Sequence, residues 1–501
     1  METYLGIEFG STRIKAVAID ENYAPVSTCD YTWQSEYKNG IWTYDLEEAI
    51  NGLKISLSGI KNKQAIKSAG ISGMMHGYLA FDKDWNLLTP FRTWQNTITA
   101  KASEELTKLF SFNIPQRWSI AHLYQAILNH EEHIDKIAHI TTLAGYIHYV
   151  LTGVNAVGIG EASGIFPIDS KNLCYDKAMI EKFNNLIDFD LESVLPKVLL
   201  AGEIAGSLTE KGAEIVENML CVGIPFAPPE GDAGTGMVAT NAVSERTGNV
   251  SAGTSIFSMV VLEGPLKRVY PEIDIVTTPT GKDVAMVHCN NCTNDSNAWV
   301  SLFKETANLF GSQPDTAELY TKLYKKSLDG DDDCGGVLVC NYISGEGVTH
   351  FDAGMPLIVR KPDSKFDLAN FFRSILYSTM ATLKIGMDIL AEEDVKIDSL
   401  TGHGGLFKTE GVGQKYMAAA CNTSVTCMET AGEGGPYGMA LLAAFLLNNN
   451  KSLEEFLKNK VFKDAKKTSF GPDNNIVEGF NKYIEDYKRL LLVEQKATEV
   501  L

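Results

Sequence analysis

The chain has no surplus of positive charge: 44 lysines and arginines face 63 aspartates and glutamates, a formal charge of −19. Binding nucleic acid or an anionic membrane surface needs clustered cations that displace counterions, so both partner classes are excluded on charge. Long apolar runs are also missing. The longest, around 438–447, falls well short of the roughly 20 residues that a membrane helix needs. The opening Met-Glu-Thr-Tyr-Leu offers no basic segment followed by an apolar one, so no secretory leader is read there and a soluble, cytoplasmic chain is expected. Cysteine is sparse and scattered, nine in all. An odd, unpatterned set suggests buried reduced thiols rather than a disulfide framework. Cys289 and Cys292, preceded by His288, have the spacing of half a zinc site, but no second pair stands near them. Low-complexity tracts are absent.

What is present is an ordinary globular composition over 501 residues, enough for two domains with separate cores. Short β-rich runs alternate with amphipathic helical ones, an α/β pattern. Helical periodicity marks 121–151 and 368–390, and Asp45 with Glu48 reads as a capping box opening a helix. The polar stretch 241–247 suggests a boundary, giving domains 1–244 and 245–501. The chemistry concentrates in Pro228-Pro229-Glu230-Gly231-Asp232-Ala233-Gly234-Thr235-Gly236, where one carboxylate stands in a glycine-rich turn that lets ligands approach. Two segments share one plan of strand, Gly/Ser/Thr turn and strand. The first runs from Leu5 through Gly10-Ser11-Thr12 to Ile19, the second from Gly248 through Gly253-Thr254-Ser255 to Val261. Such turns can offer backbone N–H groups to an anion. With so acidic a chain, phosphate is expected to meet local amides and a metal ion. A third element, Thr401-Gly402-His403-Gly404-Gly405-Leu406-Phe407, follows a strand-like approach and bends at its glycines, so that backbone can lie flat against a planar base.

Together these pieces resemble the actin-like ATPase fold, a two-domain α/β architecture of ribonuclease H-like halves about a central cleft. The residues around them resemble its FGGY carbohydrate-kinase branch. The resemblance spans Leu5 to about Phe445. Its more specific part is Ile71-Ser72-Gly73-Met74-Met75-His76-Gly77-Tyr78 with the later Trp94-Gln95-Asn96, which look like the sugar-pocket segments of the family's xylulokinase group.

The resemblance implies a role for each position. Asp232 would be the general base that takes a proton from a sugar hydroxyl as its oxygen attacks the γ-phosphorus of ATP. Met75, His76, Trp94 and Asn96 would bind the sugar. Gly10, Ser11, Thr12, Gly253, Thr254, Ser255, Gly404, Gly405 and Phe407 would bind ATP, with the glycines of 432–438 on the adenosine side. Glu8 would hold Mg²⁺, in a position where the family usually has aspartate. Its extra methylene is tolerable because magnesium keeps several waters. Asn96 replaces the aspartate that normally grips the sugar, and an amide both donates and accepts. His403 stands in place of a glycine, and Gly347 follows Ser344-Gly345-Glu346 where the family has arginine. Arg13 and Arg92 are expected at the surface, and Asp331 to Asp333 is read as a solvated turn. The implied activity is ATP-dependent phosphorylation of a ketose, a ketopentose such as D-xylulose first. L-Ribulose or another sugar or polyol is the alternative, with a non-catalytic actin-like sensor behind it. A homodimer is left open.

Overall fold

The computed structural model describes residues 2–429, 434–448 and 450–501. The chain forms two compact units. The first comprises Met1–Ser244, Asp274–Val284 and Glu433–Ala465, and the second Glu245–Ile273, Ala285–Gly432 and Lys466–Leu501. The first break falls at the polar stretch noted above, but the later chain is not one contiguous domain, because two of its segments return to the first unit.

In the first unit, five strands lie in the order Glu230–Gly231, Ile66–Gly73, Thr3–Phe9, Arg13–Ile19 and Pro25–Thr32. Thr3–Phe9 pairs antiparallel with Arg13–Ile19 and parallel with Ile66–Gly73. Its almost wholly buried run marks a central strand covered on both faces. One cover is the helix Gly435–Leu446, every residue of which is buried. A Cβ at Gly6 would meet the backbone of Pro436, Met439 and Ala440, and one at Gly70 would strike the Met439 side chain. Ser68 Oγ donates to the Ala443 carbonyl at 2.6 Å. A helix apolar on all sides has to be buried, and this contact is why the late segment belongs to the first unit. The helix Leu46–Ser58 packs on the neighbouring strands Arg13–Ile19 and Pro25–Thr32, its Gly52 lying against Ile14 and Tyr31. Asp45 caps it by accepting from the Glu47 amide at 2.7 Å, but Glu48 accepts from the Tyr31 hydroxyl instead of closing the box.

The helix expected over 121–151 is two helices, Ser119–Leu128 and Leu143–Thr152. Between them His130 takes a left-handed φ of 53°, and the strand His139–Thr141 pairs with Leu79–Phe81. The apolar spacing carried on through a break that periodicity alone does not register.

The second unit repeats the same local plan. Thr247–Ala252 pairs antiparallel with Ile256–Val261 and parallel with Ser399–Gly404, which in turn pairs parallel with Ser424–Met428. The helix Leu368–Glu392 is buried along most of its length. Its Arg373, 2% exposed, pairs with Asp332, while Asp331 and Asp333 pair with Lys365 and Lys482. The triple aspartate is thus an ion-paired turn and not merely a solvated one. All nine cysteines are free thiols. Among the described residues no helix is long and apolar enough to cross a membrane.

Candidate active site

In the first unit, cross-strand register sets Lys15, Glu8, Ser72 and Glu230 in one row. Two residues past Glu230, Asp232 begins the helix Asp232–Ala239. Its Oδ1 accepts from the Ala233 amide at 2.9 Å and the Met75 amide at 3.2 Å. Asp232 and Met75 of the expected site therefore meet directly. The carboxyl is open to solvent on one side, yet burial of its surroundings raises its pKa against the lowering effect of those amides. That is the setting of a base able to work near neutral pH.

Glu8 points the same way. Burial, together with the Asp232 charge, raises its pKa to about 8, with Lys15 opposing. A Cβ at Gly435 would collide with its carboxyl and with Thr235 Oγ1, so the glycines opening the helix Gly435–Leu446 give the longer side chain its room. Two hard oxygen donors that repel each other suit a cation placed between them. Gly432 and Glu433 of the expected adenosine-side segment lie outside the described residues.

His76 is 5% exposed and sits at a left-handed φ of 72°, its ring parallel to that of Trp118 with centroids 6.1 Å apart. Trp94 is partly open, and its indole N–H donates to Ser11 Oγ at 3.3 Å. The first hairpin turn is fixed by the Gly10 amide on the Arg13 carbonyl, the Trp33 indole on the Gly10 carbonyl and the Tyr44 hydroxyl on the Ser11 carbonyl. Thr12 remains exposed.

Asn96 is the first correction. It is 2% exposed. Its Nδ2 donates to the Trp42 carbonyl at 2.8 Å and the Thr93 carbonyl at 3.0 Å, and its Oδ1 accepts from the Trp42 amide at 2.8 Å. The amide is committed to backbone, so this structure does not present it to a sugar. Asn96→Asp is therefore expected to destabilise the protein by about 1–3 kcal/mol, because two buried carbonyls lose their donors. Denaturant unfolding checks this; an unchanged midpoint with an altered substrate preference would restore Asn96 to the pocket. Arg92 is the second correction. It is 3% exposed and paired with Glu131, whereas Arg13 is exposed beside Asp30 as expected.

Two carboxylates beside Asp232 went unread in the sequence. Glu230 is 1% exposed and accepts from the Glu161 amide at 2.9 Å, and burial raises its pKa to about 8. Glu161 is fully buried, burial raises its pKa well above the usual range against the lowering effect of a hydrogen bond with Thr142, and its carboxyl lies against Gly231. The only local signal was Gly158-Ile159-Gly160 ahead of Glu161: a Cβ at either glycine would strike the Glu230 carboxyl.

In the second unit, the Gly253 amide bonds the Ser255 carbonyl, and the Gly253 carbonyl accepts from the Thr293 amide and hydroxyl. Thr254 is exposed, and a Cβ at Gly253 would meet only open space. Gly404, at φ 99°, lies so close to the Ala252 backbone that no Cβ fits. Gly405 is exposed. Phe407 is a third correction: it is 7% exposed and its ring lies over Gly402, a packing role that does not offer the ring to a base. Glu346 is buried and accepts from the Asn290 and Asn291 amides, which anchors its loop.

The model of the N-terminal domain of the FGGY family of carbohydrate kinases matches residues 3–239, and that of the C-terminal domain matches 248–447. The chain belongs to this family and is an ATP-dependent carbohydrate kinase. Among curated relatives, the xylulose kinase of Haemophilus influenzae is 23% identical over 512 residues, covering 97% of this chain and 98% of its own. The xylulose kinase of Escherichia coli K12 is 22% identical, covering 91% and 92%. A xylulose kinase structure from Lactobacillus acidophilus superposes with a TM-score of 0.81 at 15% identity, covering 98% of both chains. The gluconate kinase of the same organism also reaches 0.81, at 16% identity, covering 98% and 97%. These likenesses establish the two-domain actin-like fold.

Proposed function

We propose that this enzyme phosphorylates a free ketopentose, D-xylulose first, with Asp232 as the base. The observation that carries the reading is the bond from the Met75 amide to Asp232 Oδ1, which joins the base to the segment bearing His76. The curated relatives named xylulose kinase support the choice of sugar. Asp232 takes the proton from the attacking hydroxyl, and His76 and Trp94 orient the sugar. Glu8 would hold Mg²⁺, which supplies charge neutralisation at the phosphates when bound. Asn96, committed to Trp42 and Thr93, takes no part in the choice of sugar in this reading.

Coupled ADP release measured over ketopentoses, hexuloses, polyols and aldonates tests the proposal. The highest kcat/KM is expected on D-xylulose. Turnover of a hexulose, polyol or aldonate with no ketopentose accepted would overturn it. The Gly253-Thr254-Ser255 turn is read as a phosphate cradle. Gly253→Val is expected to weaken ATP binding on the order of tenfold or more, since the new side chain would enter space now open. Calorimetric ATP affinity equal to that of the unaltered enzyme would remove the turn from the nucleotide site.

A further inference from the structure

A tight turn crowds carbonyls and amides together, and a carbonyl left facing outward repels the anion that a neighbouring amide attracts. In the first unit every carbonyl of the Gly10-Ser11-Thr12 turn is taken by a donor of the protein. The Gly10 carbonyl accepts from the Trp33 indole at 2.7 Å, that of Ser11 from the Tyr44 hydroxyl at 2.7 Å and that of Thr12 from the Trp33 amide at 3.2 Å. The amides of Ser11 and Thr12 bond none of the described residues, and both residues are open to solvent. The second unit makes the same arrangement with different residues. The Gly253 carbonyl accepts from the Thr293 amide at 3.1 Å and the Thr293 hydroxyl at 2.7 Å, that of Thr254 from the Cys292 amide at 3.0 Å and that of Ser255 from the Gly253 amide at 2.9 Å. The amides of Thr254 and Ser255 are again unbonded among the described residues, in a turn open to solvent.

Two turns in separate units, capped from behind by unrelated residues, thus end with donors free and no acceptor free. An anion is the common cause that fits both. We infer that the donors behind the turns, Tyr44 and Thr293 foremost, are positioning residues for phosphoryl transfer: by holding the turn carbonyls back they leave a face of donors alone toward the phosphates of ATP. In a chain of formal charge −19, N–H dipoles fixed in advance supply the attraction that side-chain cations do not. This inference rests on the reading of the turns as phosphate cradles and adds the residues that give each cradle a single sign.

Tyr44→Phe removes the donor to the Ser11 carbonyl, together with contacts of that hydroxyl to the Ser35 and Ser11 side chains, and keeps the ring on Trp33, where the centroids are 4.3 Å apart. Thr293→Val removes one of the two donors to the Gly253 carbonyl, and Thr293→Ser keeps both. In Tyr44→Phe and Thr293→Val the KM for ATP is expected to rise roughly three- to tenfold, the scale on which one neutral hydrogen bond acts, while the KM for the sugar stays within about twofold and Thr293→Ser matches the unaltered enzyme. The readout that a packing role does not move is the split between phosphate and nucleoside. Inorganic triphosphate should raise the thermal midpoint of the unaltered enzyme more than that of Tyr44→Phe or Thr293→Val, whereas the inhibition constant of adenosine should be the same in all. Variants that keep the native KM for ATP and the full stabilisation by triphosphate, or that lose adenosine and triphosphate alike, would overturn the inference. Gly253→Val separates the two levels: unchanged ATP affinity there removes the cradle itself, while weakened ATP binding there with native behaviour of Tyr44→Phe and Thr293→Val leaves the cradle and removes the residues behind it.

Discussion

Asp232→Asn is expected to lower kcat on the order of a hundredfold or more while leaving the fold intact, the scale on which a positioned general base acts. The variant is close to isosteric. Its Oδ1 can still accept from the Met75 and Ala233 amides, the two bonds that hold the native side chain. What is lost is the ability to take a proton. The raised pKa of Asp232, caused by burial, adds a signature in pH. The native enzyme should lose activity on the acid side as this carboxyl is protonated, and the residual activity of the variant should lack that limb. Sugar-dependent ATP turnover within about tenfold of the unaltered enzyme, in a sample with unchanged thermal midpoint, would take the base away from Asp232.

The residues that could be read in advance are those whose meaning is local. Gly10-Ser11-Thr12 and Gly253-Thr254-Ser255 each sit in a turn that their own flanking strands define, and Asp232 stands among glycines that mark close approach in the sequence itself. Arg92 was expected at the surface and Asn96 in the sugar pocket, and in both cases a partner distant in sequence makes the difference. Trp42 is 54 residues from Asn96 and Glu131 is 39 from Arg92; an arginine is otherwise expected at the surface, and the resemblance that put Asn96 beside the sugar carried no sign of Trp42. The Glu161 and Glu230 contact spans 69 residues and was invisible for the same reason. The apolar character of Gly435–Leu446 was plain, but the sheet it covers was not, because that depends on Gly6 and Gly70 leaving room for its backbone and side chains.

Glu8→Gln should separate activity from stability in opposite directions. The native carboxyl is held up to about 8 by burial and by Asp232, while an unfolded glutamate titrates near 4.3. Between those values the folded state binds more protons than the unfolded one, so stability contributed at this site is present at low pH and lost as pH rises through the window from about 4 to 8. Glutamine cannot ionise. The variant should therefore unfold at a temperature on the order of a few degrees higher than the native protein at pH 8, the difference shrinking toward pH 5. Its activity should move the other way. If Glu8 holds the magnesium that neutralises phosphate charge, an amide in its place is a poorer ligand, and turnover should fall on the order of tenfold or more, with partial recovery at raised Mg²⁺ concentration. Added Mg²⁺ should also stabilise the native protein at pH 8 more than the variant, since the cation favours the ionised carboxylate that burial penalises. Thermal unfolding at the two pH values, with and without Mg²⁺, reads all of this without recourse to catalysis. A variant no more stable than the native protein at pH 8 would show that Glu8 bears no buried-charge penalty, and equal Mg²⁺ stabilisation of both proteins would assign the metal to other ligands.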